Sequence, residues 1–282
     1  MKNVFVTGIT GQQGGAVANH LLEQGYNVIG LTRNASASKA ESFKSRGAEI
    51  VQGDLNTPDT YASYLSDVDA IFFVQALQGK SKEIEQGKIF LDAIPNSTKA
   101  HVVYASVLGS DQNTGIPHFE SKFELEGYLK KKNVAYTILR PGAFHENHLF
   151  PRVAKDIRKG KYISPLNKTT SQQMIGVDDI GKIAAQVITQ RNNYEGKSID
   201  LATGEKSIDA IVDIFAKVLN QPMKYGKLPG IIARLAMGKD VSKMFRFFNK
   251  NDFSLVKDID GLRNEFGIES SFESWVKDHF GK

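Results

Sequence analysis

Three glycines with a fixed spacing are the first residues whose pattern indicates chemistry. They follow the β-branched segment 3–7 and lead into an amphipathic segment. Glycine is needed where backbone bends close to a phosphate, and free amides at a helix N-terminus favour an anion. The alternative is a structural turn before a helix, and the spacing differs from G-x-G-x-x-G. The strand–turn–helix context nevertheless predicts a dinucleotide pyrophosphate on Gly8, Thr10, Gly11, Gln12, Gln13 and Gly14.

The end of the second predicted strand indicates which dinucleotide is bound. A carboxylate at this place holds the ribose 2′-hydroxyl of NAD, whereas arginine accommodates the 2′-phosphate of NADP. The chain has Arg33 here, and no carboxylate occurs before Glu41. Lys39 is a second, weaker candidate for the phosphate contact, and a solvated loop role for Arg33 is the alternative. The sequence therefore predicts NADP(H) as the ligand, with NAD(H) bound more weakly.

Further cofactor contacts are expected at the carboxyl ends of the other strands, because ligands of open α/β sheets bind there. Asp54 is equally suited to capping a turn or to contacting the adenine. The predicted strand-end residues are Asp54, Leu55, Val74, Gln75, Ala76 and Ser106.

Alternating short strands and amphipathic helices predict the elements that position these residues. Strands are predicted at 3–7, 27–32, 49–52, 70–74, 101–105, 135–139, 161–163 and 198–201. Helices are predicted near 14–23, 37–46, 58–65, 81–94, 119–131, 148–159, 177–189, 207–219 and 271–279. The fold class is α/β: a Rossmann-type doubly wound parallel sheet in residues 1–145, with a smaller C-terminal α/β lobe in residues 146–282. The lobe is expected to share a continuous core with the sheet and to cap its carboxyl edge.

Composition excludes several classes of function. The chain has no cysteine, so disulfides, thiolate catalysis and zinc–thiolate sites are excluded. No apolar run reaches the roughly 20 residues of a membrane span, and no signal peptide is apparent, so a cytoplasmic location is expected. The net charge is +5, but the lysines are scattered and no recognition motif for nucleic acid accompanies them. We therefore expect no direct contact with nucleic acid or membrane.

Several motifs taken together resemble a known family. Besides the glycine turn and Arg33, they are the stretches Val51–Asp54, His118–Lys122, Leu139–Asn147, Val177–Gly181 and Met244–Phe248. The chain resembles the NmrA-like family of atypical short-chain dehydrogenases/reductases over nearly its whole length, and especially the NADP(H)-sensing branch of that family.

The resemblance implies a site that lacks one of its usual groups. Active members of the wider superfamily use a Tyr-x-x-x-Lys helix and an upstream serine, in which tyrosine donates a proton and lysine holds the nicotinamide ribose. Here Lys122 and Ser106 remain, but His118 stands at the tyrosine position. The resemblance implies that Lys122 binds cofactor; Ser106, His118 and Lys122 are only candidates for catalysis. A turn serine, a helix-cap histidine and a surface lysine are the structural alternatives.

The segment after the sixth strand belongs to the second half of the predicted site. The resemblance implies backbone contacts to the nicotinamide half of the cofactor from Ala143, Phe144, His145 and Glu146. His145 and His148 have no further ligands at metal spacing, so no metal site is predicted. The aromatic residues Phe245, Phe247 and Phe248 form either a partner surface or, more commonly for such runs, the core side of a helix.

These residues support two classes of function. The first is a regulator that binds NADP(H), acts through a protein partner and exists as a monomer or homodimer. The second is an NAD(P)H-dependent reductase of quinones or other electrophilic small molecules, for which a protein acid matters less. Ligand-dependent regulation requires two states with different affinities for the cofactor.

Overall fold

The computed structural model describes residues 2–281 and contains twelve strands and eleven α-helices among them. The strands are β1 (Asn3–Thr7), β2 (Asn27–Thr32), β3 (Glu49–Gln52), β4 (Ala70–Phe73), β5 (His101–Ala105), β6 (Ala135–Pro141), β7 (Ala143–Phe144), β8 (Lys161–Ser164), β9 (Ser171–Ile175), β10 (Ser198–Leu201), β11 (Gly204–Ser207) and β12 (Lys224–Lys227). The helices are α1 (Gln12–Glu23), α2 (Ser38–Ser45), α3 (Lys80–Ala93), α4 (Pro117–Lys131), α5 (Pro151–Arg158), α6 (Val177–Thr189), α7 (Arg191–Tyr194), α8 (Ile208–Leu219), α9 (Gly230–Phe248), α10 (Ile259–Phe266) and α11 (Phe272–Phe280).

Strands β1 to β6 of the N-terminal half form a seven-stranded sheet together with β10. Its order is β10-β6-β5-β4-β1-β2-β3, and all pairs among β1 to β6 run parallel. The strand order reverses between β1 and β4, which are neighbours, so their carboxyl ends meet at the switch point where such sheets bind ligands. The predicted Rossmann-type α/β class is confirmed.

The described chain divides into two compact units. The first comprises residues up to Gln112 together with Pro117–Arg140 and Val177–Ile199. The second comprises Asn113–Ile116, Pro141–Gly176 and the residues from Asp200 onward. A single boundary after residue 145 was expected, whereas the segment Val177–Ile199 returns to the first unit.

The return of α6 to the first unit follows from its packing on α1. Gly181 of α6 lies so close to Ala16 of α1 that a Cβ on Gly181 would be 2.7 Å from the Ala16 Cβ. His20 Nε2 and Asp178 Oδ1 are 3.0 Å apart and join the same two helices near their ends. Two helices reach such a short separation only when small residues face each other.

Aromatic rings fill the core of the first unit beside the central strands. Phe73 stacks on Phe90 with the ring centres 4.4 Å apart and on Tyr104 at 5.1 Å. Tyr61 packs on Phe90 at 5.5 Å, and its hydroxyl donates to the Leu55 carbonyl over 2.9 Å. Each of these four rings is completely buried, so the helix α3 that carries Phe90 is held firmly on the sheet.

The second unit is built on short strands and an aromatic cluster. Strands β11, β9 and β7 form one small sheet, and β12 pairs in parallel with β8. Helices α8 and α11 enclose a core that includes Phe215, Phe272 and Trp275. No helix in the described part of the chain is both long and apolar enough to cross a membrane.

Several local predictions were wrong. The predicted helix 58–65 consists of two 3-10 turns, Pro58–Thr60 and Ala62–Leu65, because Tyr61 between them has a non-helical backbone (φ −142°, ψ −14°). The predicted helix 148–159 is a 3-10 turn at His145–Leu149 followed by α5, which begins at Pro151. Strands β7, β9, β11 and β12 and helices α7, α9 and α10 were not predicted.

The close approach of α1 and α6 yields a stability prediction. Gly181→Ala should lower the free energy of unfolding by about 1–3 kcal/mol, because the added methyl group overlaps Ala16. Gly127→Ala is the matched control: this glycine lies inside α4, and no atom lies within 4 Å of the position that a Cβ would take there. That control should raise stability by about 0.4–1 kcal/mol. Urea denaturation measures both changes, and wild-type stability of the Gly181 variant would contradict the packing described.

Candidate functional site

The glycine turn joins β1 to α1 with backbone packed on backbone. Gly8 has φ +60°, a conformation that favours glycine, and the Gly11 amide donates to the Gly8 carbonyl over 2.8 Å. A Cβ on Gly14 would lie 2.4 Å from the Gly8 carbonyl oxygen and 2.6 Å from that of Thr7. Glycine is therefore required at position 14 by the fold itself.

The start of α1 offers donors to an anion. Its N-cap, Gly11, makes no side-chain capping bond, and the first helical turn carries no acidic residue. The first amides of a helix need partners from outside the helix, and a negative charge is stabilised there. Nearby, the amide oxygen of Gln13 is buried without a hydrogen-bond partner among residues 2–281. Gln12 is exposed.

Two threonines hold the turn against the neighbouring strands. The Thr7 hydroxyl accepts from the Val74 amide and donates to the Val74 carbonyl, both over 2.8 Å, which ties the ends of β1 and β4. The Thr10 and Thr32 hydroxyls are 3.1 Å apart, which ties the turn to the end of β2. The turn, Val74 and the end of β2 are thus brought together.

Arg33 and Asp54 differ in how they are engaged. Arg33 is exposed directly after β2, and no hydrogen bond or ion pair to it occurs within the described chain. Asp54 Oδ1 accepts from the Asn56 amide over 2.9 Å and from the Asn56 side chain over 2.6 Å. Of the two roles open to Asp54, the turn cap is present. Its contact with adenine and the cofactor contact of Leu55 stay predictions.

The loop between β4 and α3 turns one side chain inward and one outward. Gln75 is buried, and its Nε2 donates to the Glu83 carbonyl over 3.0 Å. Ala76 is exposed. Further along the same loop, the Gln78 amide donates to Glu83 Oε1 over 3.0 Å. The loop that begins at Val74 is therefore anchored on a carboxylate of α3.

Lys122 is buried on α4 beside that carboxylate. Its Nζ is 3.8 Å from Glu83 Oε2 and 5.8 Å from the centre of the Tyr104 ring. Within the described chain the Nζ atom has no hydrogen-bond partner, although it is inaccessible to solvent. Burial lowers the pKa of Lys122, and Glu83 acts in the opposite direction. A buried ammonium group without hydrogen bonds is costly, so its N–H groups are available to donate to a ligand oxygen.

Ser106, by contrast, is engaged in a buried network. Its hydroxyl donates to Glu126 Oε1 over 2.5 Å, and the Ser110 hydroxyl donates to the same oxygen over 2.6 Å. Arg140 binds both Glu126 oxygens, at 3.0 Å through Nε and 2.6 Å through Nη2, and also pairs with Asp111. Glu126 is completely buried, so this arrangement compensates its charge.

His118 lies in the first turn of α4, one helical turn before Lys122. The imidazole is 9 % exposed and meets the edge of the Phe119 ring, with the ring centres 4.9 Å apart. It stands where the superfamily tyrosine would stand relative to the lysine, but its environment is that of a packed ring at a helix start.

Of the candidate residues in the second unit, His145 is buried, and Ala143, Phe144 and Glu146 are partly buried. Ala143 and Phe144 form β7, which pairs with β9. His145 is 2 % exposed and packs on Phe272, with the ring centres 5.1 Å apart. Glu146 Oε1 accepts from Trp275 Nε1 over 3.1 Å.

Burial lowers the pKa of His145 to about 3 and that of His148 to about 4. The described residues contain no cluster of His, Asp and Glu arranged for a metal. The Phe245–Phe248 run lies on α9, where Phe245 and Phe248 pack against the core of the second unit. This favours the core-packing interpretation over a partner surface.

Sequence reasoning missed the carboxylates that organise the site, Glu83 and Glu126, together with Ser121, Gln78 and the bonding of Arg140. A signal was present in α3, where Glu83, Gln86, Gly87 and Phe90 recur at helical spacing on the buried side. Gly87 has a reason of its own: a Cβ there would lie 2.5 Å from the Leu125 side chain, so glycine brings α3 close to α4.

A parallel sheet in this strand order, with a glycine turn leading into α1, defines a Rossmann-type fold. The chain belongs to the NmrA-like family, whose model matches residues 1–274. It is 24 % identical to an NmrA-like family domain-containing protein of Dictyostelium discoideum, covering 98 % of this chain and 97 % of that protein. It is 27 % identical to a photosystem II assembly factor of Trieres chinensis, covering 96 % and 85 %.

Solved structures share the fold over almost the whole chain. Triphenylmethane reductase of Citrobacter sp. with NADP(H) superimposes with a TM-score of 0.83, 19 % identity and 99 % coverage of both chains. An NADPH-dependent quinone oxidoreductase of Escherichia coli gives 0.82 and 20 %, covering 99 % and 100 %. NmrA, a negative transcriptional regulator, in complex with NADP gives 0.81 and 17 %, covering 99 % and 95 %.

The buried His145 yields a prediction about acid stability. An unfolded histidine binds its proton near pH 6.5, whereas folded His145 does so near pH 3, so the unfolded state gains protons first as the pH falls. Stability should therefore decrease below pH 6.5. When the pH falls from 7 to 5, the free energy of unfolding of His145→Gln should decrease by about 2 kcal/mol less than that of the wild type. Denaturation curves at both pH values test this, and parallel pH dependences for the two proteins would contradict a neutral buried His145.

Proposed function

We propose that this protein binds NADP(H) in its first unit and acts as a redox-sensing regulator through a protein partner. The observation that carries the proposal is the contrast between two buried groups: the Lys122 ammonium has no hydrogen-bond partner in the described chain, whereas the Ser106 hydroxyl donates to Glu126. The group needed for binding is available, whereas the serine that accompanies the catalytic tyrosine in active superfamily members is engaged by Glu126.

The cofactor part of the proposal rests on the glycine turn and on Arg33. The turn presents uncapped helix amides to a pyrophosphate, and Lys122 presents donors to a ribose hydroxyl. Arg33 is exposed and follows β2 directly, where a 2′-phosphate is read in folds of this type. Family relatives were solved with NADP(H), which supports a nucleotide cofactor here.

The regulatory part rests on the histidine at the tyrosine position and on the kinds of protein in the family. Relatives include a negative transcriptional regulator and a photosystem II assembly factor. Regulation requires that the partner discriminate between two states of the protein, since a ligand that binds both equally shifts nothing. We further propose a cytoplasmic monomer or homodimer without direct contact to nucleic acid or membrane.

The second candidate function is a reductase of quinones or other electrophilic molecules. Hydride transfer to an electron-poor acceptor depends less on a protein acid, so the engaged Ser106 and the substituted tyrosine weigh less against it. Relatives named as a triphenylmethane reductase, a quinone oxidoreductase and an oxidoreductase of Malbranchea aurantiaca favour this candidate.

Arg33→Ala tests the cofactor preference. Loss of charge-assisted hydrogen bonds to the 2′-phosphate should weaken NADPH binding by about 10- to 100-fold and leave NADH binding nearly unchanged. Arg234→Ala, which removes another exposed arginine on α9, is the control and should change neither affinity. Calorimetric titration gives the four dissociation constants, and equal losses for both cofactors would refute the assignment of Arg33.

A turnover assay distinguishes the two functions. Purified protein is mixed with NADPH and a panel of quinones, dyes and aldehydes, while NADPH absorbance is followed and binding is measured by calorimetry. The regulator is expected to bind NADPH and to consume none of it. Steady consumption with any acceptor, abolished by Lys122→Met, would establish the reductase instead.

A further inference from the structure

The carboxylate of Glu83 joins two segments that are proposed to contact the cofactor. Glu83 lies in the first turn of α3 and is completely buried. Its Oε1 accepts from the Gln78 amide, at the end of the loop that begins at Val74. Its Oε2 accepts from the Ser121 hydroxyl over 2.9 Å and lies 3.8 Å from Lys122 Nζ.

Burying the charges of Glu83 and Lys122 costs free energy of desolvation. An ionised carboxylate without water needs a counter-charge and hydrogen bonds. Glu83 obtains its hydrogen bonds from Gln78 and Ser121, and it obtains counter-charge from Lys122 at a distance too long for a hydrogen bond. The ammonium is thus held near Glu83 while its N–H groups remain available to another acceptor.

We infer that Glu83 is the positioning residue for Lys122: it keeps the lysine at the cofactor site and couples it to the β4–α3 loop. The inference rests on the proposed function, in which Lys122 binds a ribose hydroxyl. The backbone of Val74, at the start of that loop, is hydrogen-bonded to the hydroxyl of Thr7, which precedes the glycine turn. One continuous set of contacts therefore connects the proposed pyrophosphate position with Lys122 through Glu83.

Two other ionisable groups near Lys122, Tyr104 on β5 and Glu126 on α4, do not supply its counter-charge. Tyr104 of β5 presents its ring to Lys122, and burial raises the pKa of its hydroxyl well above the usual value, so it stays neutral. Glu126, one turn further along α4, has its charge matched by Arg140. Glu83 is the carboxylate paired with Lys122, and it opposes the lowering of the lysine pKa by burial.

The test compares Glu83→Gln with wild-type protein. The amide preserves the shape but removes the charge, so the pKa of Lys122 should fall and its protonated form should be lost at a lower pH. NADPH binding should weaken at least about tenfold at neutral pH, as for other supporting residues around a binding group. The loss of NADPH affinity at alkaline pH, where Lys122 gives up its proton, should begin at a lower pH in this variant. Glu124→Gln, which breaks the exposed Glu124–Lys88 pair of 2.8 Å, is the control and should change neither quantity.

A double-mutant cycle separates positioning from a general structural role. In a Lys122→Met background, Glu83→Gln should have no further effect on NADPH affinity if it acts through Lys122. Equal effects in both backgrounds would overturn the inference, as would an unchanged affinity and pH profile for Glu83→Gln. If that variant does not fold, Ser121→Ala loosens the same carboxylate and should weaken binding about three- to fivefold, and unchanged binding would overturn the inference.

A measurement without cofactor keeps this inference distinct from the proposed function. The NMR signal of the Lys122 side chain, assigned with Lys122→Met, is titrated with pH in the unliganded wild type and in Glu83→Gln. A lower midpoint in the variant supports the coupling, and an equal midpoint overturns it. Failure of the wild type to bind NADPH would instead refute the proposed function.

Discussion

No side chain fits where α1 crosses the end of β1, and much of the first unit depends on this contact. The carbonyl oxygens of Thr7 and Gly8 occupy the space that a Cβ at position 14 would need. Ile9 of the turn packs against Gly30 of β2. A Cβ on Gly30 would lie 2.3 Å from Ile9 Cδ1. Because β1 lies between β2 and β4, the same contact sets the position of α1 relative to both neighbouring strands.

Two completely buried carboxylates organise the polar residues on either side of α4, with opposite consequences. Glu126 accepts hydrogen bonds from two serine hydroxyls and from Arg140. The hydroxyl hydrogen of Ser106 is therefore already used in one of these bonds. Glu83 obtains its hydrogen bonds from Gln78 and Ser121, and the Lys122 N–H groups stay unpaired within the described chain. For the proposed function this means that the lysine N–H groups are available to a cofactor, whereas the serine hydroxyl is already engaged.

The parts predicted from sequence were those that depend on neighbours in the chain. The glycine turn, the strands β1 to β6 and the part of α4 that carries Lys122 follow from local periodicity and turn chemistry. Glu83 and Glu126 were missed because an acidic residue in a helix usually faces solvent, and their partners lie far away in sequence. Strands β9 and β11 contain polar runs such as Ser171–Gln173 and Glu205–Ser207, whose pairing is set by tertiary contacts rather than by pattern.

The interleaving of the units has a consequence for dissecting the protein into fragments. Each unit is assembled from three separate stretches of chain. A fragment that stops near residue 145 contains the glycine turn and Lys122 but lacks α6, which covers Ala16 on α1. Its apolar helix face would then be open to water, and such a fragment is prone to aggregation. A gene designed to encode the first unit alone therefore has to include the segment Val177–Ile199 after the N-terminal segments of that unit.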